Sequence, residues 1–177
     1  MMSNEELLEE VQYKYKNTVN KDDKSIQFNE LINEYPEKYV FGGIFAIANK
    51  LQSIGDIFLK EITTKQWFLL AVIGQFFKET PPAISEIAEI MGTSRQNVKQ
   101  ISLKLEKKGF VEIHRDKKDS RILRVNLTEK CMYYFENRNE KDEEFLKAIF
   151  KGFETKELFQ LANSLDKFYK SILEFKI

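Results

Sequence analysis

Apolar residues along this chain recur with two different periods, and the change from one period to the other divides it into elements. From Pro36 onward, Val40, Ile44, Ile47, Leu51, Ile54 and Phe58 return at steps of three and four, the mark of an amphipathic helix. Ile62-Thr63-Thr64 interrupts that stripe. Thr63 followed by Gln66 predicts a capping box, and the apolar run Trp67–Phe77 behind it predicts a second helix, which Pro81-Pro82 is expected to end. Two short helices follow. The first runs over Ser85–Met91, buries Ile84, Ile87, Ala88 and Met91, and closes at Gly92. The second is capped by Ser94, carries Val98, Ile101 and Leu105 inward, and closes at Gly109.

After Gly109 the period falls to two. Val111 and Ile113 alternate with Glu112 and His114, and Leu123, Val125 and Leu127 alternate with Arg124 and Asn126. The all-polar segment Arg115–Ser120 lies between them, which predicts a β-hairpin with a charged tip. Thr128 is expected to cap a further helix carrying Phe135, Phe145, Leu146 and Ile149. Thr155 is expected to cap a last one with Leu158, Leu161, Leu165, Phe168 and Ile172 on one face. Residues 1–35 show only a weak helical pattern in Leu7, Leu8 and Val11 and read as an N-terminal extension. The fold class is mainly α with a small two-stranded β-wing. It comprises a winged helix-turn-helix over 61–127 and a helical dimerisation region formed by 36–60 and 128–177.

Charge sharpens this picture. The 28 basic and 28 acidic residues cancel over the whole chain. Between Thr93 and Arg124, however, ten basic residues face four acidic ones, a net of +6 confined to the helix-turn-helix and hairpin, as a polyanion-binding surface requires. On a helical wheel, with Val98, Ile101 and Leu105 inward, Gln96, Lys99, Gln100, Lys104 and Lys107 fall on the opposite arc, and Arg95 and Asn97 flank the first turn. Gln and Asn can pair bidentately with adenine, Arg and Lys with guanine, and any of them with phosphate; the helix N-terminus at Ser94 adds free amides. Double-stranded DNA is therefore the expected partner.

The order of segments from Ile62 to Cys131 resembles the MarR family of bacterial winged helix-turn-helix regulators. Ile62-Thr63-Thr64-Lys65-Gln66 is similar to the family's entry to its second helix, and Ile84-Ser85-Glu86-Ile87-Ala88 to its first helix-turn-helix helix. Ser94-Arg95-Gln96-Asn97-Val98, running on to Leu105-Glu106-Lys107-Lys108-Gly109-Phe110-Val111, resembles the recognition helix and the strand after it. Asp119-Ser120-Arg121 resembles the wing motif, and Leu127-Thr128-Glu129-Lys130 the exit into the long fifth helix. The resemblance implies that Arg121 reaches the minor groove from the wing, while Lys117 and Lys118, as flexible point charges, suit phosphate contacts. Asp119 would orient the wing by pairing with a nearby basic side chain. It also implies a homodimer on a pseudo-palindromic site, built from the helices before Phe58 and after Thr128, and a small aromatic effector in a crevice that Phe45, Trp67 and Phe68 are placed to line. Cys131 departs from the pattern, standing where the family usually has glycine.

The remaining chemistry is sparse. Cys131, the lone thiol, reads as a small helix residue rather than an oxidant sensor, and the lone histidine, His114, cannot make a zinc site by itself, so no metal and no cofactor are expected. An enzyme is not expected, because the only His and Cys belong to different elements and no phosphate-cradling glycine loop is present. From the acidic N-terminus, the single cysteine and the lack of a membrane-length apolar run, a cytoplasmic location is expected. The alternative from a different class is a winged-helix module that binds a protein partner, which would need neither the outward Gln/Lys/Arg set nor Arg121.

Overall fold

The computed structural model describes residue 32 and residues 34–175. The extension read over 1–35, with its pattern in Leu7, Leu8 and Val11, lies almost wholly outside the described residues. Seven helices and one hairpin are described: α1 (Pro36–Leu59), α2 (Thr64–Phe76), α3 (Ile84–Ile90), α4 (Arg95–Lys107), β1 (Val111–Arg115), β2 (Leu123–Leu127), α5 (Glu129–Glu136), α6 (Asn139–Ile149) and α7 (Thr155–Glu174). They fall into two compact units that meet in sequence between Asn137 and Arg138. No described helix is long and apolar enough to cross a membrane.

In the first unit, α1 and α2 are joined by a tight break. Lys60 takes a φ of +57°, and the Glu61 amide donates to the Leu59 carbonyl at 2.6 Å, a γ-turn of the strained hand. Thr63 then caps α2 through the expected capping box with Gln66. The two helices approach closely at Gly55, where a Cβ would lie 2.5 Å from Thr64 Oγ1. The Thr64 amide and hydroxyl both donate to Asp56 Oδ1, at 2.6 and 2.7 Å, which joins the last turns of α1 to the first of α2.

The core of this unit is built from Leu69, Leu70, Val72 and Ile73 of α2, Ile87 of α3, Val98, Ile101 and Leu105 of α4, with Phe110, Val111, Val125 and Cys131. Helix α4 packs on α2, α3 and β1. Gly92 and Gly109 take φ of +61° and +76°, so both helix-closing glycines sit where a side chain would be strained. The strands pair antiparallel from Val111 opposite Leu127 to Arg115 opposite Leu123. A further backbone bridge joins Ala83 to Arg124, and the Val125 amide donates to the Pro82 carbonyl at 3.0 Å.

Four sequence readings are corrected. Met91 is half-buried rather than fully inside. Helix α2 stops at Phe76, before Pro81-Pro82: Ile73 is the last residue it buries, and Phe76, next on that side, is 63% exposed. The helix begun at Thr128 is two helices, since Asn137 ends α5 and its side-chain amide donates to the Tyr133 carbonyl at 2.7 Å, a local bond of the kind that competes with helix continuation. Finally, α7 is capped one residue earlier than expected, by Glu154, whose amide donates to Glu157 Oε2 at 2.7 Å.

The second unit consists of α6 and α7. Arg138 pairs with Asp142 at 2.8 Å, and the Phe150 and Phe153 rings meet edge to face between the helices in sequence. Neither α6 nor α7 buries a residue within the chain.

Candidate nucleic-acid interface

Helix α4 has a buried face and an exposed, largely polar one. Val98 and Leu105 are fully buried and Ile101 nearly so, while Arg95, Gln96, Lys99, Gln100, Lys104 and Lys107 are all exposed. Each residue turns about 100° around the axis, so Gln96, Lys99, Gln100 and Lys104 lie on the side away from the core, with the half-buried Leu103 among them. Ser94 serves the helix itself, because its hydroxyl accepts from the Asn97 amide at 3.1 Å and caps the first turn. Asn97 is also engaged locally, its side-chain amide donating to Thr93 Oγ1 at 3.0 Å.

The far end of α4 is anchored by residues that sequence reasoning assigned no role. Lys108 Nζ donates to the Glu61 carbonyl, and Lys130 Nζ donates to the Lys108 carbonyl at 2.8 Å while lying 3.2 Å from Glu61 and over the Phe110 ring. A cation at a helix C-terminus is favourably placed against its dipole.

The hairpin tip is wound around two carboxylates. Asp116 Oδ1 accepts from the amides of Lys118 and Asp119, at 2.8 and 3.0 Å, and its Oδ2 accepts from Arg124 Nε. The Arg124 guanidinium and the two amides hold the Asp116 carboxyl at about 2, well below the ordinary 3.8. Asp119 takes the Arg121 amide and binds its guanidinium at 2.8 Å, so the basic side chain it pairs with is Arg121 itself. The Arg121 side chain remains 88% exposed, and its pairing lowers the Asp119 pKa. Lys117 and Lys118 stand exposed on the same loop, and Arg115 Nη1 donates to the Ser120 carbonyl at 2.8 Å.

Arg124 is the residue the sequence pattern missed. The sequence marks it as one of the ten basic residues between Thr93 and Arg124 and as a polar position alternating with Leu123 and Val125, and neither signal gives its partners. In the structure its Nη1 donates to the Pro81 carbonyl at 2.6 Å and lies 3.7 Å from Glu86, and Glu86 in turn accepts from the Ala83 amide.

The three aromatic residues expected at an effector site are placed differently from one another. Phe45 is 60% exposed on α1 with its ring against Phe41, Phe68 is exposed on α2, and Trp67 beside it is half-buried. Cys131 is fully buried, its amide held by the Thr128 hydroxyl, and burial pushes its thiol from 9.0 up to about 11. Among the described residues no group of three or more His, Cys, Asp or Glu side chains could hold a metal ion.

The arrangement is shared with known proteins. Residues 62–123 match the sequence model of the MarR family. The uncharacterized HTH-type transcriptional regulator YpoP of Bacillus subtilis (strain 168) is 26% identical over 117 residues, which span 66% of this chain and 79% of YpoP. Among solved structures, a MarR/EmrR family transcriptional regulator from Acinetobacter sp. ADP1 superposes with a TM-score of 0.67 at 23% identity, over 78% of this chain and 98% of that one. MepR of S. aureus, in its DNA complex, does so at 0.65 and 20%, over 78% and 99%. With its helix-turn-helix and wing in this order, the chain carries over residues 62–123 a domain that matches the model of the MarR family, and it shares the fold of that family's solved members.

Proposed function

We propose that the chain binds double-stranded DNA sequence-specifically, as a homodimer on a pseudo-palindromic operator, and regulates transcription there in the cytoplasm. The observation that carries this reading is the two-faced α4, which presents Gln96, Lys99, Gln100 and Lys104 outward beside a wing whose Arg121 is almost fully exposed. A helix with such a face fits the major groove, and an exposed guanidinium on an adjacent hairpin suits a groove or phosphate contact. That S. aureus MepR and Streptococcus pneumoniae FabT, which share the fold, have structures in complex with DNA supports it. The exposed apolar residues of α1 and α7 supply the surface for the second copy. A small aromatic effector near Phe45, Trp67 and Phe68 would modulate binding.

The test is binding to duplexes selected from a random pool, measured across salt concentrations. Arg121→Ala should weaken operator binding by roughly 1–3 kcal/mol with the fold intact. Gln96→Ala or Gln100→Ala should reduce discrimination with the salt slope unchanged, whereas Lys104→Ala should lower specific and nonspecific affinity alike and reduce the slope by about 1. Salt-independent association, or no preference for any duplex, would refute the reading.

A further inference from the structure

We propose that Arg124 and Asp116 are positioning residues that set the angle of the wing on the helix-turn-helix, and thereby the place where Arg121 meets DNA, without touching DNA themselves. This rests on the DNA-binding reading above.

The guanidinium of Arg124 is turned inward. Its Nη1 donates to the Pro81 carbonyl in the segment entering α3, its Nε donates to Asp116, and Glu86 of α3 lies 3.7 Å away. Its side chain is 29% exposed, against 88% for Arg121. Asp116, at 16%, spends one oxygen on Arg124 and the other on the amides of Lys118 and Asp119. Asp119 then holds both the amide and the guanidinium of Arg121. An unbroken series of hydrogen bonds therefore runs from Pro81, through Arg124, Asp116 and Asp119, to Arg121. Backbone pairing between wing and helix-turn-helix at this point is slight: the Ala83–Arg124 bridge and the Val125 amide on Pro82. A two-stranded ribbon is only marginally stable by itself, and while Val111 and Val125 bury its inner face, Arg124 stands opposite His114 next to the loop, so a side-chain latch there bears on the direction of the tip. The pair is also neutral as a unit, so it adds nothing to the long-range attraction for phosphate.

That neutrality makes the inference testable, because positioning and charge predict opposite signs for one substitution. Full-length wild type, Asp116→Asn, Arg124→Met, Arg124→Lys, Arg121→Ala and Arg121→Ala/Arg124→Met are titrated against one selected duplex over a range of salt. Trypsin cleavage between Lys117 and Arg121 is timed on the same proteins without DNA. Asp116→Asn and Arg124→Met should each weaken binding roughly 3- to 30-fold and hasten cleavage. Asp116→Asn should do so although it removes a negative charge, and Arg124→Lys should fall between Arg124→Met and wild type. In the Arg121→Ala background Arg124→Met should cost little more, since the two act through one contact. Tighter binding by Asp116→Asn, or additive losses of Arg124→Met with Arg121→Ala, would overturn the proposal. Should wild type bind no duplex, the DNA-binding reading fails and cleavage alone decides the wing: faster cutting of the two variants upholds the latch, and unchanged cutting overturns it.

Discussion

Val98 and Ile47 occupy equivalent places in their sequences, each on the apolar stripe of an amphipathic helix, yet Val98 is 0% exposed and Ile47 60%. The same contrast separates whole regions. From Leu69 to Cys131 the apolar stripes of α2, α3 and α4 close on one another and on the hairpin. In α1, Val40, Ile47 and Leu51 stay exposed, as do Leu161, Leu165, Phe168 and Ile172 in α7. Periodicity marks which face of a helix is apolar, but not what covers it. In the winged region the cover comes from the same chain. For α1 and α7 the proposed cover is a second copy, since exposed apolar faces of this extent mark association surfaces.

The contrast can be broken most forcefully in the winged core. Phe110 is fully buried, meets the Tyr134 ring edge to face at 5.1 Å and lies under Lys130. Phe110→Ala should destabilise the fold by about 3–5 kcal/mol, and denaturant unfolding checks it; a loss no larger than that of an exposed phenylalanine such as Phe159 would contradict the assigned core. Next comes Cys131, whose thiol is pushed from 9.0 to about 11. Its folded pKa is raised, so its contribution is complete below about pH 9 and is lost as pH climbs toward 11. The expected loss is about 2–3 kcal/mol, absent in Cys131→Ala. The same burial should leave the native thiol slow to react with a thiol reagent near neutrality.

Smaller effects test the open faces and the interior of α4. Leu165→Glu places a charge in the exposed stripe of α7. It should shift the dimer equilibrium by about 2 kcal/mol or more toward monomer while the winged region keeps its melting behaviour, as sedimentation and calorimetry would show. A variant that stays dimeric would move the proposed interface elsewhere. Ser102 is the smallest lever: it is fully buried in α4 and its hydroxyl has no hydrogen-bond partner among the described residues. Ser102→Ala should raise stability by about 1 kcal/mol, and a fall instead would mean that the hydroxyl is satisfied in solution.

Local signals in the sequence determined most of the helix-turn-helix. The Thr63–Gln66 capping box, the Ser94 cap, the glycines at 92 and 109 and the switch of period after Gly109 each act within a few residues, and each is present as read. The outward stripe of α4 was legible for the same reason, since a helix phase is set by its own buried residues. What only the tertiary structure decided involves partners distant in sequence. Gly55 is required because Thr64 approaches from another helix, Arg124 bonds Pro81 across 43 positions, and Lys130 bonds Lys108 across 22. A polar residue on a strand gives no sign of whether it faces water or latches onto a neighbouring element, because hydrogen-bond geometry exists only once both elements are in place.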